Sequence, residues 1–387
     1  MKHPVEKARC TGCSACASSC PKQCISMVDD TEGFWYPEID RAACIDCGLC
    51  EKTCPVFHRA GSDHTPAAYA AYCKDEKLRR NSSSGGVFSV LAKRVIDTGG
   101  VVFGARFDGH FCVRHDFAAA EEELARFRGS KYVQSRIGDS FLQAKFFLDQ
   151  GRPVYFSGTP CQIGGLKAFL RKEYENLICQ DLVCHGVPSP KVWKQYVAFR
   201  ETETGTPALN ISLREKSRGW KQYSVAFEFE DGTEYRQILD QDPYMRLFLK
   251  NVCLRPSCHH CAFKMPYGQS DITLADFWGV EQILPVFSDD KGTSLVLLNT
   301  EKGRTFFASA SGSLIAEKTD LRGAVLRNPA EYRSAKANLH REKFFQDLDS
   351  EDFIQLARRY TADPITEKAR KKLRYILSEL CHFGAAQ

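Results

Sequence analysis

Cys10-Thr11-Gly12-Cys13-Ser14-Ala15-Cys16-Ala17-Ser18-Ser19-Cys20-Pro21 and Cys44-Ile45-Asp46-Cys47-Gly48-Leu49-Cys50-Glu51-Lys52-Thr53-Cys54-Pro55 decide how this chain is read. Each spells C-x2-C-x2-C-x3-C-P, and the second repeats the first 34 positions later. Soft thiolates are the ligands that iron–sulfur clusters want. The two-residue gaps let one tight loop set three sulfurs on three corners of a 4Fe–4S cube. The fourth cysteine, before proline, belongs to the other cube in this two-cluster pattern. The expected ligands are therefore Cys10, Cys13, Cys16 and Cys54 for cluster A. For cluster B they are Cys44, Cys47, Cys50 and Cys20. The proline turns the chain away after the last ligand.

C-x2-C pairs also serve structural zinc. Three cysteines plus a fourth before proline, twice over, is a much narrower pattern, and it favours iron–sulfur. Cys24 is a ninth cysteine here and reads as a small packed residue rather than a ligand.

Working outward, the chain has 387 residues, room for two or three domains. It is 43% hydrophobic and 26% charged, as an ordinary globular protein is. A net charge of +5, mixed along the chain, argues against a nucleic-acid binder. Residues 1–9 hold no apolar core of a secretory signal, and no run approaches a membrane span. A cytoplasmic protein is expected. Eighteen cysteines in a reducing compartment point to metal ligation rather than disulfides.

Residues 1–57 form the ferredoxin-type module, with the aromatic stretch Gly33 to Pro37 expected as a hairpin over the clusters. His58 to Pro66 reads as a linker. Beyond it, strands are expected at Tyr69–Cys73, Val101–Phe107, Pro153–Ser157 and Leu177–Cys184. Helices are expected at Val87–Asp97, Gly138–Leu148, Cys161–Arg171 and Pro190–Glu201. Such alternation argues for an α/β layer structure. Tyr223 to Ile238, turning at Asp231-Gly232, is a hairpin. Pro243–Asn251 reads as a short helix, and Asp271–Phe277 and Ser294–Thr300 as strands. From Ala330 the chain is helical and charged, a solvated face. The fold class is α+β and α/β: a ferredoxin-like module, an α/β region and a helical tail.

A second cysteine nest lies downstream. Cys161 stands at a strand-to-helix turn and Cys184 at the end of the next strand. If those strands are parallel neighbours, both cysteines emerge at the sheet edge where ligands bind in α/β folds. Cys258 and Cys261 form a C-x2-C pair, with Cys253 five residues earlier. Four of these five could close a third cube. A zinc site on Cys258, His259, His260 and Cys261 competes, and spacing does not separate the two.

Ser82-Ser83-Ser84-Gly85-Gly86 precedes a helix, where hydroxyls cap and the helix end attracts anions. A flavin pyrophosphate suits it, although the residues by themselves favour a plain cap. Gly129-Ser130-Lys131-Tyr132 offers a cation and a stacking ring. The dinucleotide fingerprint and the P-loop are absent.

These turns, Thr159-Pro160-Cys161-Gln162, Cys184, and Cys258-x2-Cys261 followed by Ser270 to Gly279 form an ordered set. In it the chain resembles the coenzyme F420 hydrogenase/dehydrogenase beta-subunit family, in the form with an N-terminal two-cluster ferredoxin. The resemblance implies a ferredoxin domain at 1–57 and an N-terminal FAD-binding region at 67–150. It implies a C-terminal domain with a third iron–sulfur site at 151–330, and leaves a helical tail at 331–387. It implies that Cys161, Cys184, Cys258 and Cys261 hold the third 4Fe–4S cluster, with Cys253 an extra. It also implies flavin contacts at Ser84, Gly85, Gly86, Gly129, Ser130, Lys131 and Tyr132. The family's flavin trades hydride with a deazaflavin, and fold and cofactor do not fix the substrate here.

The expected function is an iron–sulfur flavoprotein oxidoreductase working with a redox partner protein or a small hydride carrier. The alternative is a non-catalytic electron-transfer subunit. No side chain stands out as a general acid or base. His185 is a candidate proton donor with a structural role more in keeping, and Asp276 and Trp278 are candidates to line the same pocket.

Overall fold

The computed structural model describes residues 5–58, 65–266 and 269–362. The linker expected at His58–Pro66 falls largely outside the described residues, as does the basic end of the tail.

The N-terminal module is small. β1 (Ile25–Asp29) and β2 (Trp35–Ile39) pair antiparallel, the hairpin expected around Phe34. The two cysteine loops repeat each other in backbone as well as sequence. Gly12 and Asp46 occupy the left-handed region at φ 67° and 52°, and Ser14 and Gly48 follow at 65° and 68°. A short helix starts after each, Ala15–Ser18 and Leu49–Lys52.

The larger body is built on an eight-stranded mixed sheet. Its strands are β3 (Ala67–Cys73), β4 (Val101–Phe107), β5 (Val113–Ala118), β6 (Val154–Ser157) and β7 (Leu177–Leu182). A separate three-stranded antiparallel sheet follows in the chain, β8 (Ala208–Glu215), β9 (Ser224–Phe229) and β10 (Glu234–Ile238). The last strands, β11 (Ile272–Asp276), β12 (Ser294–Leu298) and β13 (Leu314–Thr319), return to the large sheet. Its order is β13-β3-β12-β11-β7-β6-β4-β5. The four strands β4, β6, β7 and β11 run parallel, and antiparallel neighbours flank them on both sides.

Buried apolar runs explain the middle of the sheet. Val154, Tyr155 and Phe156 of β6 and all five residues of β12 are buried, as strands covered on both faces require. Helices Val87–Ile96 and Ser140–Asp149 cover opposite faces, in two distinct apolar cores. Helix Pro160–Leu170 follows β6 directly. Thr159 and Gln162 cap it reciprocally and Pro160 opens it. Helices Pro190–Thr204, Pro243–Leu249, Arg341–Asp347 and Phe353–Thr361 pack with the small sheet around Trp193, Tyr196 and Tyr244.

The iron–sulfur module docks on this body at glycines. Gly165 lies under Cys13, where a Cβ would come within 2.9 Å of the Cys13 Cβ. Gly164 faces Phe263 and Pro55. Arg341 pairs with Glu32 at the hairpin turn, Nη1 to Oε1 at 2.9 Å. Among the described residues no helix is long and apolar enough to cross a membrane.

Candidate functional site

Cys10, Cys13, Cys16 and Cys54 are buried on the inner side of the module. Burial pushes the Cys13 thiol up to about 12, with Cys10 and Cys54 close enough to add to the rise. Cys16 is raised for the same reasons. Cys20, Cys44, Cys47 and Cys50 line a cavity at the outer end together with Cys24. Cys47 is exposed there, and Cys20, Cys44 and Cys50 are half-buried. Each run therefore places its fourth cysteine beside the other run's first three. The Cys24 sulfur lies 3.3 Å from that of Cys20.

The third nest forms where parallel β6 and β7 end. Cys161 is carried on the first turn of the following helix, and Cys184 two residues beyond β7. They meet Cys258 and Cys261 around one cavity with Arg255, Lys264 and Glu331. Burial raises all the thiols with resolved shifts, Cys184 to about 12 and Cys258 to about 11, and Cys161 well above its ordinary value. Lys264 donates to the Cys184 carbonyl, and the Val187 N–H to the Cys258 sulfur at 3.4 Å. Neither His259 nor His260 lines this cavity. His259 Nδ1 is 3.1 Å from the Ala335 carbonyl and His260 is exposed. Cys253 is also elsewhere, buried in the core beside Tyr244.

A cavity of about 320 Å³ opens next to this nest. That lies at the lower end of the usual ligand-pocket range, about 300–1,000 Å³. It sits over the carboxyl ends of β6, β7 and β11, where open α/β sheets bind ligands. Ser82 to Ser84, Gly86 and Gly129 to Tyr132 line it. Ser83 Oγ accepts from the Ser130 N–H at 2.7 Å and its hydroxyl at 3.0 Å, tying the two turns together. Gly86, at φ 82°, caps helix Val87–Ile96. Gly85 instead presses on the sheet, where a Cβ would meet the Ala71 carbonyl at 2.4 Å. Lys131 spends its ammonium on the Arg126 and Arg128 carbonyls, and burial lowers it to about 7. Tyr132 already stacks on Phe248.

Three family profiles match the chain. One, a 4Fe-4S dicluster domain, covers residues 9–57. The others are the N-terminal and C-terminal parts of the coenzyme F420 hydrogenase/dehydrogenase beta subunit, over residues 68–140 and 151–322. The chain belongs to the coenzyme F420 hydrogenase/dehydrogenase beta-subunit family. It is the form with a 4Fe–4S dicluster domain, an iron–sulfur redox protein of an oxidoreductase-type family. A solved structure, the xenon-derivatised F420-reducing NiFe hydrogenase complex from Methanosarcina barkeri, is 17% identical. That alignment covers 77% of this chain and 91% of the other, with a TM-score of 0.46. No curated protein matches significantly.

Within this family frame, the donor sets are all-thiol and grouped in fours, which suits iron–sulfur cubes. Among the described residues no group of three or more His, Cys, Asp or Glu closes on a single metal ion. A cube holds its sulfurs further apart than one ion does, and each outlying quartet here surrounds a cavity.

Two residues of the large cavity escape the sequence reading. Arg214 is buried with its Nε and Nη2 unpartnered, while Nη1 donates to Asp276. Trp220 Nε1 also donates to Asp276, at 2.9 Å, and stacks on Trp278. Asp276 lines the cavity, whereas Trp278 does not. His115 is buried with its ring nitrogens 2.7 Å from Ser135 Oγ and 3.0 Å from the Ser157 carbonyl. Burial lowers it to about 4, so it is neutral at pH 7. His185 lines the thiol nest instead, its Nε2 held 2.6 Å from Asn251 Oδ1.

Proposed function

We propose that this chain is an iron–sulfur flavoenzyme. Electrons pass singly between an outside redox partner, three 4Fe–4S clusters and FAD, for hydride exchange with a deazaflavin-like or other small redox carrier. The observation that carries this reading is a shared wall. The turn at Thr159-Pro160-Cys161 and Val187 separate the third thiol nest from the large cavity.

FAD bound in that cavity would supply the exchange between one-electron and two-electron chemistry, which is the cofactor's own. The chain's residues hold and tune. The thiols of Cys161, Cys184, Cys258 and Cys261 would anchor one cube against the wall. The serine and glycine turns at 82–86 and 129–130 would flank an anion at the start of helix Val87–Ile96, although the Ser82, Ser84 and Ser130 hydroxyls already donate to Leu78, Thr293 and Ser83. Arg214 lines the cavity with its Nε and Nη2 buried and unpartnered, and a positive charge there favours an anionic ring or phosphate. Asp276 is neutralised by Arg214 and is not free to act as a base. Neutral His115 braces the Ser157 carbonyl at the end of β6.

The test is anaerobic cofactor analysis of the whole chain. The reading expects bound FAD and roughly twelve irons and twelve sulfides per chain. Roughly eight irons with one zinc would move the third nest to zinc. Protein that holds no flavin and takes up none would leave an electron-transfer subunit instead. Cys258→Ala is expected to remove one cluster signal and spare the two of the N-terminal module. An unchanged iron count in that variant would sink the third-cluster assignment.

A further inference from the structure

Among the described residues, four arginines have side chains almost wholly shielded from water. Arg79 pairs with Asp289, Arg200 with Glu203 and Arg214 with Asp276. Arg255 differs. It is fully buried, and all its hydrogen-bond acceptors are neutral. Nε donates to the Cys10 carbonyl at 2.8 Å, Nη1 to Gln134 Oε1 at 3.1 Å and Nη2 to the Trp35 carbonyl at 3.0 Å. The ring of Tyr36 lies 4.1 Å away and that of Phe34 5.4 Å. Among the described residues no carboxylate pairs with it. Glu331, on the same cavity, stands against Lys264 instead. A guanidinium does not shed its proton in a protein. A buried charge without a partner is costly enough that native folds pair it. The partner must therefore be an anion that lies beside Arg255 in the working protein.

Its position says which anion. Arg255 is three residues before Cys258 and lines the third thiol nest. The same side chain grips the loop that carries Cys10 and Cys13. Gln134 completes the clamp, its Nε2 reaching the Thr11 carbonyl at 3.4 Å. Gly12, at φ 67°, leaves room for both, because a Cβ there would sit 2.7 Å from Gln134 Nε2 and 3.0 Å from Arg255 Nη1. Thr11 lines the third nest as well. The clamp thus stands between two thiol quartets.

We propose that Arg255 is a shared counter-ion for cluster A and the third cluster, raising the reduction potential of both. The proposal rests on the cluster assignments above. A cube with four thiolates is an anion whose negative charge grows by one when it gains an electron. Net charge and nearby hydrogen bonds set such potentials. A fixed cation in a poorly screened interior favours the reduced state, more strongly than it would in water. Arg255 is a positioning and tuning residue, and no bond or proton changes hands at it.

The experiment is a redox titration followed by electron paramagnetic resonance on anaerobically purified full-length protein. Arg255→Gln is expected to lower both potentials by a tenfold or larger change in the reduction equilibrium. That is 59 mV or more for one electron. Cluster B, at the exposed end, is expected to keep its potential. Arg255→Lys, which retains the charge, should restore most of the shift. Full iron with unchanged potentials in Arg255→Gln overturns the proposal, as does an equal shift of all three clusters. If Arg255→Gln does not assemble, Gln134→Glu carries the test. It sets a carboxylate beside Nη1 and keeps the three hydrogen bonds of Arg255, giving up only the Nε2 contact to Thr11, and the same fall is expected at both clusters. Unchanged potentials in Gln134→Glu overturn the proposal. A wild-type protein with iron for only two cubes is a separate failure, that of the third-cluster reading.

Discussion

His115 shows what a single buried side chain contributes. It sits under the large cavity with both nitrogens engaged, and burial holds it down at about 4. Its ordinary value is 6.5. On acidification the unfolded chain binds this proton first. Stability that is full above pH 6.5 is therefore lost as the pH falls towards 4, by about 3 kcal/mol in all. His115→Gln removes that linkage while keeping polar atoms near Ser135 and Ser157. Denaturant unfolding at pH 7 and pH 4.5 should show a smaller loss in the variant than in the wild type. Equal losses would mean that His115 is not the titrating group. The sequence did not mark His115, Arg214 or Arg255. Cysteine ligands are legible because their spacing is local. Arg255 finds its partners 245 and 220 positions away, at Cys10 and Trp35, and nothing in a linear pattern announces such pairs. Glycine turns were legible as turns, but only packing shows that Gly85 serves the sheet rather than the cavity.

Helix Pro160–Leu170 is the element on which the site turns. Its first turn carries Cys161 and its middle receives the iron–sulfur module at Gly164 and Gly165. Two effects compete if Gly165 becomes alanine. Helix propensity gains about 1 kcal/mol. The new methyl meets the Cys13 Cβ at 2.9 Å and its sulfur at 3.0 Å, and such overpacking costs about 1–3 kcal/mol. The clash should win, because Cys13 is buried and fixed by its loop. Gly165→Ala is expected to melt lower and to hold less iron per chain. A higher melting temperature with full iron would show that the module tolerates displacement. This helix, and its neighbours β6 and β7, were plain in the sequence because continuous apolar runs and capping residues mark them. The edge strands β5 and β13 were not. In β13 only Leu314 is buried, so the alternation that identifies a strand is missing, and pairing with β3 makes it one. β8, which joins the expected hairpin through an irregular register, was not marked either.

At the scale of the whole molecule, exposure sets one thiol nest apart, because only the outer one holds an exposed cysteine. Cys47 is exposed and Ile45 beside it is 58% exposed, so the outer nest faces solvent. The nest of Cys10, Cys13, Cys16 and Cys54 is covered by the helix Pro160–Leu170 and by Phe263. The third, with its four cysteines half-buried, lies against the cavity at the strand ends. That exposure makes the outer nest the natural point of contact for a redox partner protein. It also makes that nest the most vulnerable, since attack on a cluster follows access to its sulfurs. Brief exposure of the holoprotein to air or ferricyanide should therefore destroy one cluster signal first, with loss of about four irons before the rest. The lost signal should be the one that Cys47→Ser alters and Cys258→Ala spares. If the third cluster's signal fades first instead, oxidant reaches the interior through the large cavity, and that cavity rather than the iron–sulfur module is the door through which electrons enter and leave.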